Sequence, residues 1–304
     1  MNKISAIIVV KDRPPHLQET INSVQALADE IIIGSINLSP EQVQTLQKHP
    51  KIKVVAVPAD TPFADLVKEE LKQQARHDWV LYLDPDEVFP KNTGGLIRAE
   101  LAHYDCFLFP RKNLIFGKWI EHSRWWPDYQ VRLYRKSSVI WPAAIHPQPK
   151  INGRQFRFPA HEENAILHYN YDNLDQYLTK AMRYAKTEAQ MLTGQNQPLT
   201  LAATINKSLS EFVSRFFAGE GYRDGMHGLA LAFLQMFYYL LVYFYYWEMH
   251  QYRSETKDNL SAVPQQFFKS GLKQSHYWIN KKNLVAPQKR IILKIINRII
   301  AILP

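Results

Sequence analysis

Trp79-Val-Leu-Tyr-Leu-Asp-Pro-Asp-Glu87 is the stretch on which the fold turns. Five apolar or aromatic residues in a row predict a strand covered on both faces. The run passes directly into Asp84, Pro85, Asp86 and Glu87, so carboxylates stand at the end of a buried strand. In an open α/β sheet, ligands bind outside the carboxyl ends of the strands. Two acids one residue apart, stiffened by the intervening proline, can hold a hard divalent cation that also bridges two phosphate groups. Such an ion offsets the charge that grows on a departing diphosphate. The bland alternative is a loop whose acids cap the next element or face solvent.

Toward the amino terminus the pattern alternates. Residues 7–10, Ile-Ile-Val-Val, predict a first buried strand that ends at Lys11-Asp12-Arg13 and Pro14-Pro15. Leu17, Ile21, Val24 and Leu27 recur every three or four residues and predict a helix over 16–28. Residues 31–33 predict a second strand, 40–48 a helix capped by Ser39, 53–57 a third strand and 64–75 a helix leading into Trp79. That alternation predicts a parallel α/β sheet. Beyond residue 105 the strands shorten, to 106–110, 131–134 and 138–141, around an irregular stretch holding Trp119, Trp125 and Trp126. They read as a mixed second half of the same sheet. A helix follows over 174–192, and from about residue 208 the chain is helical, aromatic and increasingly basic. The expected division is a catalytic domain over 1–195 and a helical extension over 196–304.

Composition sets the class. Hydrophobic residues at 46% and charged residues at 21% of 304 positions are ordinary for a globular protein. One cysteine, Cys106, excludes an internal disulfide framework and any multi-cysteine metal site, and fits a reducing compartment. The first apolar run is too short for a signal-peptide core and reads as a buried strand. Neither a serine nucleophile elbow, a P-loop nor a Gly-x-Gly-x-x-Gly occurs, which disfavours hydrolases, kinases and dinucleotide enzymes. The net charge of +9 is segregated: residues 251–304 hold ten Lys or Arg against two acids. Nucleic-acid binding would need basic residues interleaved with aromatics near the α/β part, so no nucleic-acid partner is expected.

The Trp79–Glu87 stretch resembles the strand and Asp-x-Asp-Glu signature of family 2 glycosyltransferases of the A-type fold, especially bacterial enzymes of lipopolysaccharide core and related glycoconjugates. Ile7-Ile-Val-Val-Lys-Asp12 is similar to their opening strand and turn, and Ala28-Asp-Glu-Ile-Ile-Ile33 to their second strand. The likeness in motif order spans about residues 4–190. It implies a Rossmann-like mixed sheet flanked by helices, a nucleotide-sugar donor, a lipid-linked or glycan acceptor and a divalent cation, manganese or magnesium. It puts Val10, Lys11 and Asp12 at the base, Asp84 near the ribose and Asp86 on the metal. The loop after the second strand, Gly34-Ser-Ile-Asn-Leu-Ser39, lacks the two acids found there in many members. A degenerate sugar- or lipid-binding member is therefore the alternative to an active enzyme.

On the helix before the fourth strand, Lys68 has two readings: a point charge on a donor phosphate, or a solvated helix lysine. Inverting transfer needs a carboxylate or histidine to take the acceptor proton. Trp126-Pro-Asp-Tyr-Gln-Val-Arg-Leu-Tyr134 resembles the family segment that supplies it, which makes Asp128 the candidate base, with Glu121, His122 and Glu162 in reserve. A strand-start Asp capping a turn is the competing reading. Gln130 and Arg132 share one strand face, where Arg132 can meet a donor phosphate or a site acid. His146 and His168 each follow a short apolar run; the family resemblance favours His146 as a metal ligand, and a structural histidine is the alternative for both. The three tryptophans read either as a sugar-stacking platform or as core.

Residues 229–247 carry no charge, and as a helix they extend about 28 Å, close to the hydrocarbon thickness of a bilayer. Tyr238, Tyr239, Tyr243, Tyr245 and Tyr246 stand mid-run rather than at the ends, which favours a helix in the headgroup region or packed on protein over a spanning one. The last segment, 288–303, places Lys289, Arg290, Lys294 and Arg298 largely on one side, with isoleucine and leucine elsewhere. That pattern predicts an interfacial helix on anionic lipid, at the cytoplasmic face of the inner or plasma membrane. A docked helix or dimer contact is the alternative.

Overall fold

The computed structural model describes residues 2–12, 14–61, 63–142, 148–253 and 260–302. The elements run β1 (Ile4–Lys11), α1 (Leu17–Val24), β2 (Glu30–Ile36), α2 (Pro40–Gln47), β3 (Ile52–Ala56), α3 (Lys68–Gln74), β4 (Trp79–Leu83), β5 (Glu87–Val88), α4 (Gly94–Glu100), β6 (Cys106–Phe109) and β7 (Arg111–Ile115). They continue with β8 (Lys118–Trp119), β9 (Gln130–Arg135), β10 (Val139–Ile140), β11 (Lys150–Ile151), β12 (Gln155–Arg157) and β13 (Ile166–Tyr171). Five helices complete the chain: α5 (Leu174–Gly194), α6 (Leu201–Val213), α7 (Met226–Met249), α8 (Ala262–Lys281) and α9 (Pro287–Ile302).

The chain forms two compact units. One comprises Met1–Leu114 with Trp126–Asn170, the other Ile115–Trp125 with Tyr171–Pro304. Sequence patterning puts the division at residue 195. In the structure α5 and the segment around Trp119 and Trp125 cluster with the helices, because Ile115 and Ile120 pack against Tyr177, Ala181 and Leu231.

The first unit is built on a seven-stranded sheet of order β12-β6-β9-β4-β1-β2-β3. β1 runs parallel to β2 and β4, β2 parallel to β3, and β9 antiparallel to both β4 and β6. The continuous apolar runs are explained by burial on both faces. Ile4, Ala6, Ile8 and Val10 enter one core together with Trp79, Leu81 and Leu83, while Ile7 and Val9 enter the other with Val80 and Tyr82. α1 stops at Val24, short of the predicted Ala28, where the chain turns so that the Asp29 amide can donate to the Ile4 carbonyl. α2 begins as predicted, with Ser39 and Gln42 forming a reciprocal capping box and Pro40 in the first turn.

Register opens the site. β1 pairs with β2 out to Lys11 opposite Ile36, but its ladder to β4 ends at Ile8 opposite Leu83. The end of β1 therefore runs past the point where β4 gives way to Asp84. A smaller sheet sets β13 between β5 and β7, and β5 begins at Glu87, so β13 and β7 are drawn to the acidic turn.

In the second unit α7 packs on α5 through Val242 and Tyr246 against Ala185 and Ala189. α6 and α8 meet around Leu209, Val213, Phe267 and Trp278. Asp224, almost fully buried, accepts from the Glu121 and His122 amides and meets His122 Nδ1 at 3.1 Å, tying residues 115–125 into this unit.

Candidate active site

The turn after β4 is closed by its own backbone, the Glu87 amide donating to the Asp84 carbonyl at 3.1 Å, while Glu87 Oε2 accepts from the Asp84 amide at 3.2 Å. From β9, Arg132 Nη2 donates to Asp84 Oδ2 at 2.6 Å and to Glu87 Oε1 at 2.5 Å. From β7, Arg111 Nη1 reaches the same Glu87 oxygen at 3.2 Å. Glu87 and Arg132 are buried, whereas the Asp84 side chain keeps 29% exposure. Burial pushes the Asp84 carboxyl up, but the charge of Arg132, then of Lys68 and Arg111, overrides it and holds the group well below the usual carboxylate range. Burial likewise opposes the Arg132 charge, and Glu87 and Asp84 outweigh it, raising Arg132 above its ordinary value.

Asp86 is handled differently. The Tyr169 amide donates to the Asp86 carbonyl at 2.9 Å, and antiparallel pairing sets His168 opposite Glu87. This stitching brings His168 Nε2 to 3.6 Å from Asp86 Oδ1. The far side of the imidazole meets Asn113 Oδ1, 2.7 Å from Nδ1. The orientation of Asn113 follows from its other neighbour: its Nδ2 lies 3.2 Å from Asp128 Oδ2, and an ionised carboxylate only accepts. The Asn113 oxygen then faces the histidine, so Nδ1 donates that hydrogen bond and Nε2 is the ring atom turned toward Asp86.

A carboxylate oxygen and an imidazole nitrogen are both ligand types for a divalent cation, and their 3.6 Å separation is somewhat longer than that of two ligands on one small ion. Ligand atoms bound about 2.1 Å from one ion lie about 3.0 to 3.4 Å apart for octahedral or tetrahedral angles. A second hydrogen bond that fixes tautomer and ring orientation is also what metal-binding histidines have. The pair is not a cage: among the described residues no group of three or more His, Cys, Asp or Glu gathers in metal-binding fashion. His146, the sequence candidate for metal, lies outside the described residues.

Asp128 sits at the head of this relay. Its Oδ2 accepts from Arg111 Nε at 2.8 Å and Nη2 at 2.6 Å as well as from Asn113, and its Oδ1 accepts from Gln130 Nε2 at 2.8 Å. One connected network thus runs Asp128, Asn113, His168, Asp86, with Arg111 linking Asp128 to Glu87.

Residues 5–146 match the family model described as glycosyl transferase family 2. That match spans 142 of the 304 residues, and over it the chain is similar to family 2 glycosyltransferases. An uncharacterized glycosyltransferase of Rickettsia conorii is 24% identical over 239 residues, covering 74% of this chain and 83% of that protein. Its counterpart in Rickettsia typhi is 25% identical over 241 residues, covering 75% and 81%. Among solved structures, residues 1–349 of S. aureus TarS align with a TM-score of 0.44 and 16% identity, over 84% of this chain and 94% of that one. The mixed sheet flanked by helices is the A-type glycosyltransferase architecture, and glycosyl transfer is the activity of the family.

The remaining predicted residues of the glycosyltransferase site fall as follows. Val10 is buried in the core, so it can offer a ligand only its backbone, on the side where the ladder to β4 has ended. Lys11 and Asp12 are exposed; Lys11 Nζ lies 3.5 Å from the Thr61 carbonyl, and Asp12 has φ 56°, a left-handed conformation held by its amide donating to Ile36. Lys68 is not a solvated helix lysine. It is buried, ion-paired with Asp65 at 2.6 Å, and stands 4.5 and 4.6 Å above the rings of Tyr82 and Trp141. Of the two readings of Arg132, the one realised is contact with the site acids. Of the reserve acids and histidine, Glu162 pairs with Lys112 and His122 is engaged by Asp224. Trp119 and Trp125 belong to the second unit and Trp126 to the first.

Sequence reasoning missed Arg111 and Asn113 and gave Glu87 no role. Arg111 and Asn113 alternate with Lys112 along β7, so a shared face was readable. Which face met the acids was not.

Proposed function

We propose that the protein transfers a sugar, with inversion, from a nucleoside diphosphate sugar to a lipid-linked or lipopolysaccharide acceptor at the cytoplasmic face of a membrane, aided by manganese or magnesium. The observation that carries this reading is the unequal wiring of the acidic turn: Asp84 is bound by Arg132, while Asp86 Oδ1 stands 3.6 Å from His168 Nε2. The base and ribose lie along Val10, Lys11, Asp12 and Asp84, and Asp84, kept ionised by Arg132, accepts from a ribose hydroxyl. Lys68 and Arg132 act through Asp84 rather than by touching phosphate, since both are buried and paired. Asp86 and His168 are the residues that would hold the cation. When bound, the ion neutralises charge on the leaving diphosphate.

Asp128 is the base. Its Oδ1, with Gln130 as donor, takes the acceptor hydroxyl proton as the acceptor oxygen bonds to the anomeric carbon and the bond from that carbon to the diphosphate oxygen breaks. Arg111 and Asn113 on Oδ2 fix the plane of the carboxylate.

A panel of nucleotide sugars with manganese or magnesium, read as release of nucleoside diphosphate, tests the proposal. Asp86→Ala should abolish release, and Asp128→Asn should lower transfer by about 10²- to 10⁴-fold while leaving nucleotide binding intact. If the unmodified protein binds sugar or lipid but releases nothing from any donor, it is a non-catalytic family member and the proposal fails.

A further inference from the structure

We propose that α9, with the exposed residues of α8 on which it packs, seats the protein in the plane of an anionic membrane surface. This deepens the transfer reading by naming how the enzyme meets a membrane-borne acceptor. Its test needs no turnover.

Fifteen of the twenty large hydrophobic side chains exposed among the described residues fall between Met226 and Ile296. On α9 they form a stripe: Ile291, Ile292, Ile295 and Ile296 are 63%, 54%, 53% and 37% exposed, at positions that share one face of a helix. α8, packed against α9, exposes Phe268 and Leu272 one turn apart. Lys273, next in sequence to Leu272, and Lys289, two residues before Ile291, are exposed and add positive charge to these two helices. Lys294 and Arg298 complete the sequence pattern, but their side chains lie outside the described ones.

The exposed isoleucine stripe of α9 is an apolar face that implies an occupant. Charge selects between a second copy and a bilayer. Residues 251–304 carry ten Lys or Arg and two acids, so two copies meeting through this segment would oppose like charges, whereas an anionic leaflet attracts each one. An in-plane geometry follows from α7, the one described helix apolar enough to cross a membrane. α7 packs along α5, which carries Lys180, Arg183, Lys186 and Glu188, and Tyr238 donates to Glu188 Oε2 at 2.5 Å. Crossing would carry those charges toward hydrocarbon, where they are strongly disfavoured.

Cosedimentation of the full-length protein with vesicles of phosphatidylcholine, alone or mixed with phosphatidylglycerol, tests the inference. Binding is expected to the mixed vesicles only, and to weaken with salt. Lys273→Gln and Lys289→Gln should each lower partitioning roughly fivefold. The pair Ile292→Glu with Ile295→Glu should abolish it, with circular dichroism and donor turnover in solution unchanged. Asp86→Ala should bind vesicles like the parent, which separates this inference from the transfer reading. Equal binding to neutral vesicles, or binding indifferent to the α8 and α9 changes, would overturn it. So would a dimer in sedimentation velocity that the isoleucine changes dissociate, without vesicle binding.

Discussion

Asn113→Leu isolates the relay on which the metal-binding reading depends. Asn113 is fully buried, and leucine is close to it in volume, so the change removes hydrogen bonds more than packing. Asp128 loses its longest contact, at 3.2 Å, and keeps Arg111 and Gln130. His168 loses the acceptor of its Nδ1 proton at 2.7 Å, and a buried unsatisfied donor costs about 1 to 3 kcal/mol. The imidazole can relieve that cost by moving its proton to Nε2 and donating to Asp86. It then has no lone pair for a cation. Divalent affinity should therefore fall by about the same free energy, corresponding to the roughly 10- to 100-fold expected when the hydrogen-bond partner of a metal-binding histidine is removed. Calorimetric titration of manganese in the presence of a nucleoside diphosphate reads this directly, with a thermal melt to verify folding. Asn113→Asp provides the contrast: it keeps an acceptor for His168 but sets a second carboxylate against Asp128, so stability should fall while manganese affinity is largely kept. A folded Asn113→Leu protein with parental manganese affinity would refute the reasoning.

Arg132→Met leaves the buried Glu87 with Arg111 alone and strips Asp84 of its nearest charge, so urea denaturation should show a loss of about 3 kcal/mol or more. The pH dependence has a definite sign. Because the folded-state Asp84 carboxyl is held below its ordinary value of about 3.9, its contribution to stability is present above that value and disappears as pH falls through the folded-state value. The Arg132→Met protein should lose that portion of the acid dependence, and an identical acid limb would count against the pairing. Burial first, and Asp105 second, push the Cys106 thiol up to about 12, so the native protein should resist an aromatic disulfide reagent at neutral pH and react once unfolded. At Gly228 an added methyl would stand 1.8 Å from the Gly221 carbonyl oxygen, a backbone atom. Gly228→Ala should thus destabilise the helical unit by about 1 to 3 kcal/mol, with the loss read in chemical unfolding followed by tryptophan fluorescence.

What the sequence disclosed follows from the range over which each interaction acts. β1 and β4 were readable because burial on both faces forces a continuous apolar run, and the acidic turn because it adjoins β4. The capping box of α2 was half readable because its partners are three residues apart. The relay was not, because it is assembled by pairing between distant strands. Asn113 and His168 are 55 positions apart, and Arg111 and Asp128 are 17 apart. Nothing local in Arg-Lys-Asn-Leu-Ile distinguishes a face turned to Asp128 from one turned to solvent. His168 does carry a faint signal, since Ile166, His168 and Asn170 alternate as the buried set of β13, which puts a polar ring where an apolar one is expected. The compact units differ from the expected division for a related reason: α5 is amphipathic, and amphipathicity reveals that a face is covered without revealing what covers it.

The same physics explains why two acids one residue apart come to differ. A buried guanidinium on β9 bonds Asp84 and Glu87 together at the sheet end. Asp86 is set against an imidazole whose proton is engaged on the opposite side by Asn113. The two aspartates of the motif are thus set against different partners, a guanidinium from β9 and an imidazole from β13. The proposed cation role rests on that asymmetry more than on the presence of two aspartates.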